Sequence, residues 1–326
     1  MKKVVLSAAA LMGGMVMMAQ QNQSEINQHG MDHGAMGIQI GESNHSYISQ
    51  SGGEGNEANI LQVGASNSSQ VTQIRNDIYA GVVQTGTSNT NVIYQVGDRN
   101  RGFVVQMGRG NLVDLEQDGI NNQASAEQGE PLAQSSEGTI WQKQVGDDNI
   151  QEAQMLGTKN YVSQEQNGSQ NIATSEQNLS RPGGQNEIDQ VQTGENNFAE
   201  VFQEMSYNRV SQVQVGDFNS ATVFQQGDDQ FVIQHQEGDR NRAYAGQYGN
   251  NNEIYLEQYG ESNIASTFQY GSYNLSDMHQ HGSNNDSWDS QIGNYNKTLV
   301  RQIGSGHVSG ILQNLHGNSA IVIQMD

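Results

Sequence analysis

The chain has 326 residues, of which only 34% are hydrophobic, and it carries a formal net charge of −21 with a mean hydropathy of −0.70. This acidic balance excludes a basic nucleic-acid-binding surface, and the lack of cysteine excludes a disulfide framework and thiolate chemistry. Low hydrophobicity alone is typical of disorder, but 38 Gly with 2 Pro and abundant Gln and Asn favour stacked β-structure at least as much.

The first twenty residues predict export of the protein. Two lysines precede an apolar run from Val4 to Met18, which matches the basic and apolar regions of a secretory signal. As a helix this run would be about 22 Å long, which is short for a transmembrane span, the alternative interpretation. We therefore expect a signal peptide over residues 1–19, cleaved after Ala19.

A polar segment over residues 20–37 follows, which we interpret as a flexible leader and a candidate secretion-targeting segment. Its sequence HGMDHGAMG, residues 29–37, holds two histidines, an aspartate and two methionines, which are types that bind copper or zinc. The spacing defines no coordination geometry. A flexible leader without metal is therefore the preferred interpretation.

Glutamine returns every eleven residues from Gln28 to Gln324. The register has 27 positions and is interrupted at three places, the first of which is a turn over residues 51–55 that is one residue longer than usual. Glutamine occupies all positions except the one held by Met155. In most repeats glycine lies two residues after glutamine, asparagine five, a small residue seven and an aliphatic residue nine. Because the repeat runs through nearly the whole chain, we expect it to define the fold.

The spacing within one repeat predicts a β-strand. The block NSATVFQ places Asn219, Ala221, Val223 and Gln225 two residues apart, so all four would lie on one inward face. The residues between them are charged, hydroxylic or aromatic and would face outward. The remaining four residues of the repeat include the glycine and predict a tight turn that uses a positive φ.

Seven strand residues and four turn residues predict an all-β fold, a β-solenoid in which one coil takes two repeats, or 22 residues. Consecutive strands would lie in two facing sheets, and each strand would stack parallel and in register on the second strand after it, about 4.8 Å away. We expect the solenoid over residues 38–326, with irregular joints near residues 129–138 and 178–185. These joints hold the only two prolines, Pro131 and Pro182, as continuous pairing requires.

Both ends of the solenoid are expected to act as templates for further stacking. The sequence closes on AIVIQMD without a helix, a proline or a charged segment that would cap the last strand. We therefore expect replacement of Gln324 and Asn318 by Ala to slow the addition of further copies.

The blocks NSATVFQQG from Asn219 and NRAYAGQYG from Asn241 resemble the curlin repeat of curli subunits, and the resemblance covers nearly the whole mature chain. It implies a secreted functional amyloid that needs no cofactor and is not an enzyme. Such a subunit passes an outer-membrane secretion pore with accessory proteins, polymerises on itself with a curli-type nucleator, and forms adhesive fibres that hold biofilm together on host or abiotic surfaces. A nucleator or minor subunit and a monomeric surface-attached β-solenoid adhesin stay open as alternatives.

The resemblance also implies a role for the stacked amides, because stacked Gln and Asn drive self-assembly in that family. The matching self-assembly positions are Gln192, Gln203, Gln214, Gln225, Gln236, Gln247, Gln258, Gln269, Gln280, Gln291, Gln302, Gln313 and Gln324, with Asn197, Asn208, Asn219, Asn241, Asn252, Asn263, Asn274, Asn285, Asn296 and Asn318.

Four carboxylates recur at 22-residue intervals, three residues after the glutamine: Glu195, Asp217, Asp239 and Glu261. In the predicted coil they would line one edge about 4.8 Å apart. One hypothesis is a divalent cation such as Ca²⁺ that bridges them. The preferred interpretation is a solvated edge that keeps the subunit soluble during export.

Other solenoid classes fit the sequence less well. An enzyme would need a groove with convergent acid and base groups, and no insertion predicts one. Calcium β-rolls use a nonapeptide of Gly and Asp, which this chain lacks. An ice-binding solenoid would show flat outward threonine arrays, whereas the outward positions here are mixed.

Overall fold

The computed structural model describes residues 21–130, 135–178 and 183–326, and within these ranges it contains strands and turns but no helix. The predicted signal peptide, residues 1–19, lies outside the described residues, as do both prolines.

The chain divides into two compact units, Met1–Lys159 and Asn160–Asp326. The described strands of unit 1 are β1 (Gln23–Met31), β2 (Gly34–Glu42), β3 (His45–Glu54), β4 (Glu57–Ala65), β5 (Ser68–Ile74), β6 (Tyr79–Thr87), β7 (Thr90–Asp98), β8 (Arg101–Arg109), β9 (Leu112–Ile120), β10 (Gln123–Gln128), β11 (Ser135–Ser136), β12 (Thr139–Asp147) and β13 (Ile150–Met155). Those of unit 2 are β14 (Tyr161–Ser169), β15 (Ile172–Gln177), β16 (Glu187–Glu195), β17 (Phe198–Glu204), β18 (Arg209–Val215), β19 (Ser220–Gln226), β20 (Phe231–Glu237), β21 (Arg242–Asn250), β22 (Glu253–Glu261), β23 (Ile264–Ser272), β24 (Leu275–Ser283), β25 (Asp286–Asn294), β26 (Lys297–Ser305), β27 (Val308–Asn314) and β28 (Ser319–Met325).

Each unit is a β-solenoid of two parallel sheets, which confirms the predicted fold class. In unit 1 the strand order is β1-β3-β5-β7-β9-β12 in sheet 1 and β2-β4-β6-β8-β10-β13 in sheet 2, with the short β11 paired to β8. In unit 2 the order is β14-β16-β18-β20-β22-β24-β26-β28 in sheet 3 and β15-β17-β19-β21-β23-β25-β27 in sheet 4. Consecutive repeats therefore alternate between the sheets, and one coil takes two repeats.

Side chains alternate between the core and the outside along each strand. In β22 the inward Ile254, Leu256 and Gln258 are fully buried, whereas the intervening Tyr255 and Glu257 are partly exposed. The neighbouring strand β24 is in register with β22, so each inward residue stacks on its counterpart 22 positions later. The core of each unit is consequently a set of columns of stacked inward side chains, and it is in the glutamine column that like side chains are repeated.

Glycine two residues after the glutamine allows the turns of adjacent coils to approach closely. Gly64 has a φ of 119°, and a Cβ at this position would collide with the carbonyl oxygen of Gly86 in the next coil. This confirms the predicted positive φ. Two residues further on, a second positive φ near 57° is adopted by residues other than glycine, among them Ser66 and Phe218. The sequence did not reveal this position because its residue type varies.

Outside the two joints, three of the described turns carry a side chain where the repeat has glycine. Arg75, Met205 and Leu315 keep φ values of 100°, 77° and 75° respectively. This region is disfavoured for residues that have a Cβ, so these turns hold local backbone strain that their neighbours do not.

Strand pairing extends further than the predicted seven residues. Strands such as β22 and β24 have nine residues, and their pairing continues beyond the glutamine through Gly260 and Gly282. The stacked glycines keep the two backbones in register at the start of the turn, because no side chain separates them.

The segment predicted as a flexible leader, residues 20–37, is part of the solenoid where the structure describes it. Strand β1 pairs with β3 and β2 pairs with β4, both parallel. The reason is visible in the sequence, since Asn22, Ser24, Ile26 and Gln28 repeat the inward order of asparagine, small residue, aliphatic residue and glutamine. The solenoid therefore begins earlier than the predicted residue 38.

The two predicted joints are insertions that leave the stacking of the glutamines intact. Gln117 bonds Gln144 across a separation of 27 residues, and Gln166 bonds Gln192 across 26, instead of the usual 22. The described strands on both sides of each insertion therefore keep their register.

Candidate functional site: buried amide ladders

In unit 2 the ladder glutamine of each strand, except the last strand of each sheet, donates a hydrogen bond to the ladder glutamine of the next strand. In sheet 3 the series runs from Gln166 to Gln324 with Nε2 to Oε1 distances of 2.8 or 2.9 Å. In sheet 4 it runs from Gln177 to Gln313 at 2.8 to 3.2 Å. Every glutamine of the predicted self-assembly set lies in one of these two series.

Each ladder amide also joins the two sheets of its unit. Gln247 Nε2 donates to Gln269 at 3.0 Å and to the backbone oxygen of Phe231 at 3.2 Å, while its Oε1 accepts from Gln225 at 2.9 Å. Phe231 begins β20, which lies in the opposite sheet. Both hydrogens and the oxygen of the amide are therefore used, which is the condition for burying this polar group at little cost.

The asparagine five residues after each glutamine forms a second ladder at the turn. Asn241 accepts at Oδ1 from the backbone N–H of Asn263 at 3.1 Å, and its own N–H donates to Asn219 Oδ1 at 3.0 Å. Its Nδ2 donates to the carbonyl oxygen of Gly260 in the next coil at 2.8 Å. All ten asparagines of the predicted set make at least one such bond between coils. They hold the turns in register, as the glutamines hold the strands.

The ladders have a direction. In every glutamine pair described above, Nε2 belongs to the earlier coil and Oε1 to the later coil. The asparagines run the opposite way, because the later backbone N–H donates to the earlier Oδ1. Each coil thus has two unlike sides that are complementary to each other.

The asparagine ladder is interrupted once in sheet 3, where Gln230 takes the asparagine place. Its Nε2 still reaches the Gly249 oxygen at 2.6 Å, and its N–H still donates to Asn208 at 3.1 Å. However, its Oε1 is buried without a hydrogen-bond partner among the described residues, so the bond from the N–H of Asn252 is lost. The additional methylene moves the oxygen away from its usual position.

A third series of buried glutamines was not predicted from the repeat. Gln164, Gln190, Gln212 and Gln234 occupy the place expected to be aliphatic, and successive members bond at 2.8 to 2.9 Å. The signal was present in the sequence as Gln-x-Gln at 22-residue spacing, for example QVQ and QHQ. The alignment of all repeats concealed this signal, because most repeats have an aliphatic residue at this place. In these four strands the aliphatic residue lies at the preceding inward position instead.

The column of carboxylates takes part in coil stacking. Asp217 Oδ1 accepts from the backbone N–H of Glu195 at 2.8 Å, and Asp239 Oδ1 accepts from that of Asp217 at 2.9 Å. Across the described ranges, no group of three or more His, Asp or Glu side chains is arranged to hold a metal ion. The Ca²⁺ bridge that includes Glu261 stays a hypothesis, and two of its four candidate residues have a structural role.

Two segments of the chain match the family model of the curlin associated repeat, residues 86–119 in unit 1 and residues 235–260 in unit 2. These two segments are similar to the curlin repeat. No curated protein matches the chain. Curlin-repeat proteins are structural amyloid subunits rather than enzymes and are typically secreted. The two repeat matches and the solenoid fold together support a curli-like subunit in general terms.

In the part of the chain that the structure describes, no helix is long and apolar enough to cross a membrane.

Proposed function

We propose that this protein is the subunit of a secreted extracellular fibre, and that its activity is its own polymerisation rather than catalysis. The direction of the glutamine ladders is the observation that carries the proposal. Because each coil has one donor side and one complementary acceptor side, coils of separate copies can stack head to tail as coils of one copy do. Contacts between unlike surfaces that do not close into a ring produce open filaments.

The edge of sheet 3 supports this proposal. In β28, Val322 and Gln324 are only partly buried, whereas their counterparts Val300 and Gln302 in β26 are fully buried. An edge strand also presents unpaired backbone N–H and C=O groups. A further coil in register would bury the apolar side chain, extend the ladder by one bond and pair the backbone, and these gains favour addition.

The export route and the role of the fibre are parts of the same proposal. The signal-like residues 1–19 and the typical secretion of curlin-repeat proteins support export through the inner membrane and then an outer-membrane pore with accessory proteins. At the cell surface a curli-type nucleator would start the fibre. The fibre would then hold cells together in biofilm and attach them to host or abiotic surfaces.

Seeded polymerisation tests the proposal. The 326-residue protein without residues 1–19 is expected to form fibres with sigmoidal thioflavin fluorescence, a lag phase that seeds abolish, and a meridional reflection near 4.8 Å. Replacing Gln324 by Ala removes the ladder amide of the edge strand and is expected to slow seeded elongation several-fold. Replacing the outward Ile323 of the same strand by Ala is the matched control, and its elongation rate should stay close to that of the wild type.

A protein that stays monodisperse at all concentrations would overturn the proposal and favour the monomeric adhesin. Fibres whose elongation is equally fast in both variants would show that the glutamine ladder does not direct growth. Polymerisation that only seeds a second fibre protein, without growth of its own, would assign this chain to the nucleators.

A further inference from the structure

The outward surface of sheet 4 differs from the other surfaces of unit 2. We define the aromatic face as the outward side chains of β19, β21, β23, β25 and β27, whose largest members are Phe224, Tyr244, Tyr248, Phe268, Tyr270 and Trp288. Rings on neighbouring strands contact one another, with centroid separations of 5.1 Å from Phe224 to Tyr248 and 5.3 Å from Tyr248 to Phe268. Tyr270 and Trp288 remain 58% and 47% exposed, so much of the ring area is open to solvent.

Glycines make this face flat. The indole of Trp288 lies against Gly310, where any side chain would collide with it. At Gly246 a Cβ would lie 3.1 Å from the ring of Phe268 and 3.2 Å from the hydroxyl oxygen of Tyr244. The rings therefore lie along the backbone of the adjacent strand instead of projecting from it. A flat apolar surface suits a partner that is itself flat.

Charge selects a second copy of the same face as the partner. The protein carries a net charge of −21, so two copies repel each other wherever their carboxylates meet. Within the fully described strands of the aromatic face, the only charged side chains directed outward are Arg242 and Asp286, which have opposite signs. The aromatic face is therefore close to neutral, and two acidic solenoids can approach side by side through it.

The positions of these two charges specify the orientation. Arg242, Ile264 and Asp286 lie in one row at the starts of β21, β23 and β25. A two-fold axis that runs parallel to the strands, between the two faces and directly above β23, would place Arg242 of each copy opposite Asp286 of the other. The central Ile264, Phe268 and Tyr270 of β23 would then meet their own counterparts in the second copy.

The area of the face indicates a weak contact that repetition strengthens. Five strands about 4.8 Å apart and seven residues long cover about 550 Å², or about 1,100 Å² for both copies. This is at the lower limit of specific protein interfaces. One pair of copies would therefore dissociate readily, whereas stacked copies would make many such contacts in parallel and remain paired.

We propose that the aromatic face pairs two copies of this protein side by side, with the axes of their solenoids antiparallel. The inference rests on the proposed polymerisation, because many weak contacts in parallel are needed to hold the pair together. It predicts that fibres consist of two laterally paired filaments. Pairing and elongation use different surfaces, since the ladders act along the axis and the aromatic face across it.

Fibre width, measured by electron microscopy together with the seeded elongation rate, tests the inference. Wild-type fibres are expected to be paired filaments. The double variant Tyr244→Ser with Tyr270→Ser should give single filaments that elongate at the wild-type rate. The matched control, Tyr255→Ser with Tyr259→Ser on the outward surface of sheet 3, removes two rings of the same kind and should leave the pairs intact.

A charge swap separates pairing from folding. Arg242→Glu should give single filaments, because it places two carboxylates together, and the double variant Arg242→Glu with Asp286→Arg should restore the pairs. Single filaments in the wild type, or pairs that survive both the tyrosine and the charge variants, would overturn the inference. If the Tyr255 and Tyr259 control keeps the wild-type fibre width but the charge swap does not restore it, the proposed orientation is wrong.

If the protein does not polymerise, the lateral contact can still be tested on the unpolymerised protein. In that case sedimentation velocity at high concentration should still detect a weak dimer that Arg242→Glu abolishes and the charge swap restores. A strictly monomeric wild type under these conditions would reject the lateral contact as well.

Discussion

Asp289 is an acidic residue at an inward position of β25 in unit 2, where the repeat has an aliphatic side chain. It is 2% exposed and stacks between Thr267 and Ile311 in the adjacent strands of sheet 4. Thr298 Oγ1 donates to its Oδ1 at 3.2 Å, while its Oδ2 is buried without a partner among the described residues. Burial raises the pKa of Asp289 to about 6, and hydrogen bonding from the hydroxyls of Ser276 and Thr298 opposes this shift.

This pKa shift predicts that the protein is more stable at mildly acidic pH. Because the folded pKa lies above the unfolded value of 3.8, the folded state binds more protons, and the free energy of unfolding falls as the pH rises from about 4 through 6. Above that range the ionised carboxylate destabilises the fold by about 3 kcal/mol at most. Asp289→Asn should therefore raise the urea midpoint at pH 7.5 and change it little at pH 4.5.

Asp229→Asn is the matched control for Asp289, because Asp229 is exposed in a turn. Its urea midpoint should equal that of the wild type at both pH values. This control shows whether the loss of any one carboxylate, rather than of the buried one, changes the stability. An Asp289→Asn variant that is no more stable than the wild type at pH 7.5 would show that the carboxylate is solvated or already neutral there.

Sequence alone could not identify Asp289 as a buried acid, although it fixed the position as inward. The repeat assigns an aliphatic residue to this place, and an acidic residue there is at odds with the pattern. The polar neighbours that tolerate it, Thr267, Ser276 and Thr298, come from three different strands. Their convergence depends on the stacking and on the facing of the sheets, which the structure supplies.

At the scale of strands and turns, the sequence predicted much of the site. The eleven-residue register correctly placed the glutamines inward and the asparagines at the turn. Residues two apart on a strand lie on the same face of the sheet, so the aliphatic residues fix that face as the inward one. It failed where one inward position exchanges its residue type, as in the series from Gln164 to Gln234. It also failed for the second positive φ of the turn, because no residue type marks that position.

The interrupted asparagine ladder gives a prediction for one turn. Gln230→Asn should place an oxygen where it can accept from the N–H of Asn252, as asparagine does in the adjacent turns. A buried acceptor that gains its partner is expected to stabilise the protein by about 1 to 2 kcal/mol. Amide hydrogen exchange at Asn252 should slow, and the urea midpoint should rise.

Gln230→Ala serves as the comparison for this turn. It removes the bond from Nε2 to the Gly249 oxygen and should lower the urea midpoint. If Gln230→Asn proved as destabilising as Gln230→Ala, the longer side chain would be needed at this position, and the interpretation of the orphaned oxygen would be wrong.

At the scale of the whole molecule, net charge opposes the assembly that the ladders favour. Copies that carry a charge of −21 must approach each other for a fibre to grow. At an ionic strength of 0.01 M charges act over about 30 Å, whereas at 0.15 M they act over about 8 Å. We therefore expect seeded elongation to be about tenfold faster at 0.15 M than at 0.01 M. Salt screens the repulsion between the acidic copies, whose donor and acceptor sides are otherwise complementary.

Divalent cations distinguish screening from a specific site at the carboxylate column. Since Asp217 and Asp239 accept backbone hydrogen bonds, the double variant Asp217→Asn with Asp239→Asn keeps two acceptor oxygens while removing two charges. Under screening alone, this variant should elongate faster than the wild type at 0.01 M and equally fast at 0.15 M, and Ca²⁺ and Mg²⁺ at equal ionic strength should act alike. An acceleration by Ca²⁺ over Mg²⁺ that the double variant loses would instead establish the calcium bridge, because only coordination by these carboxylates distinguishes the two ions.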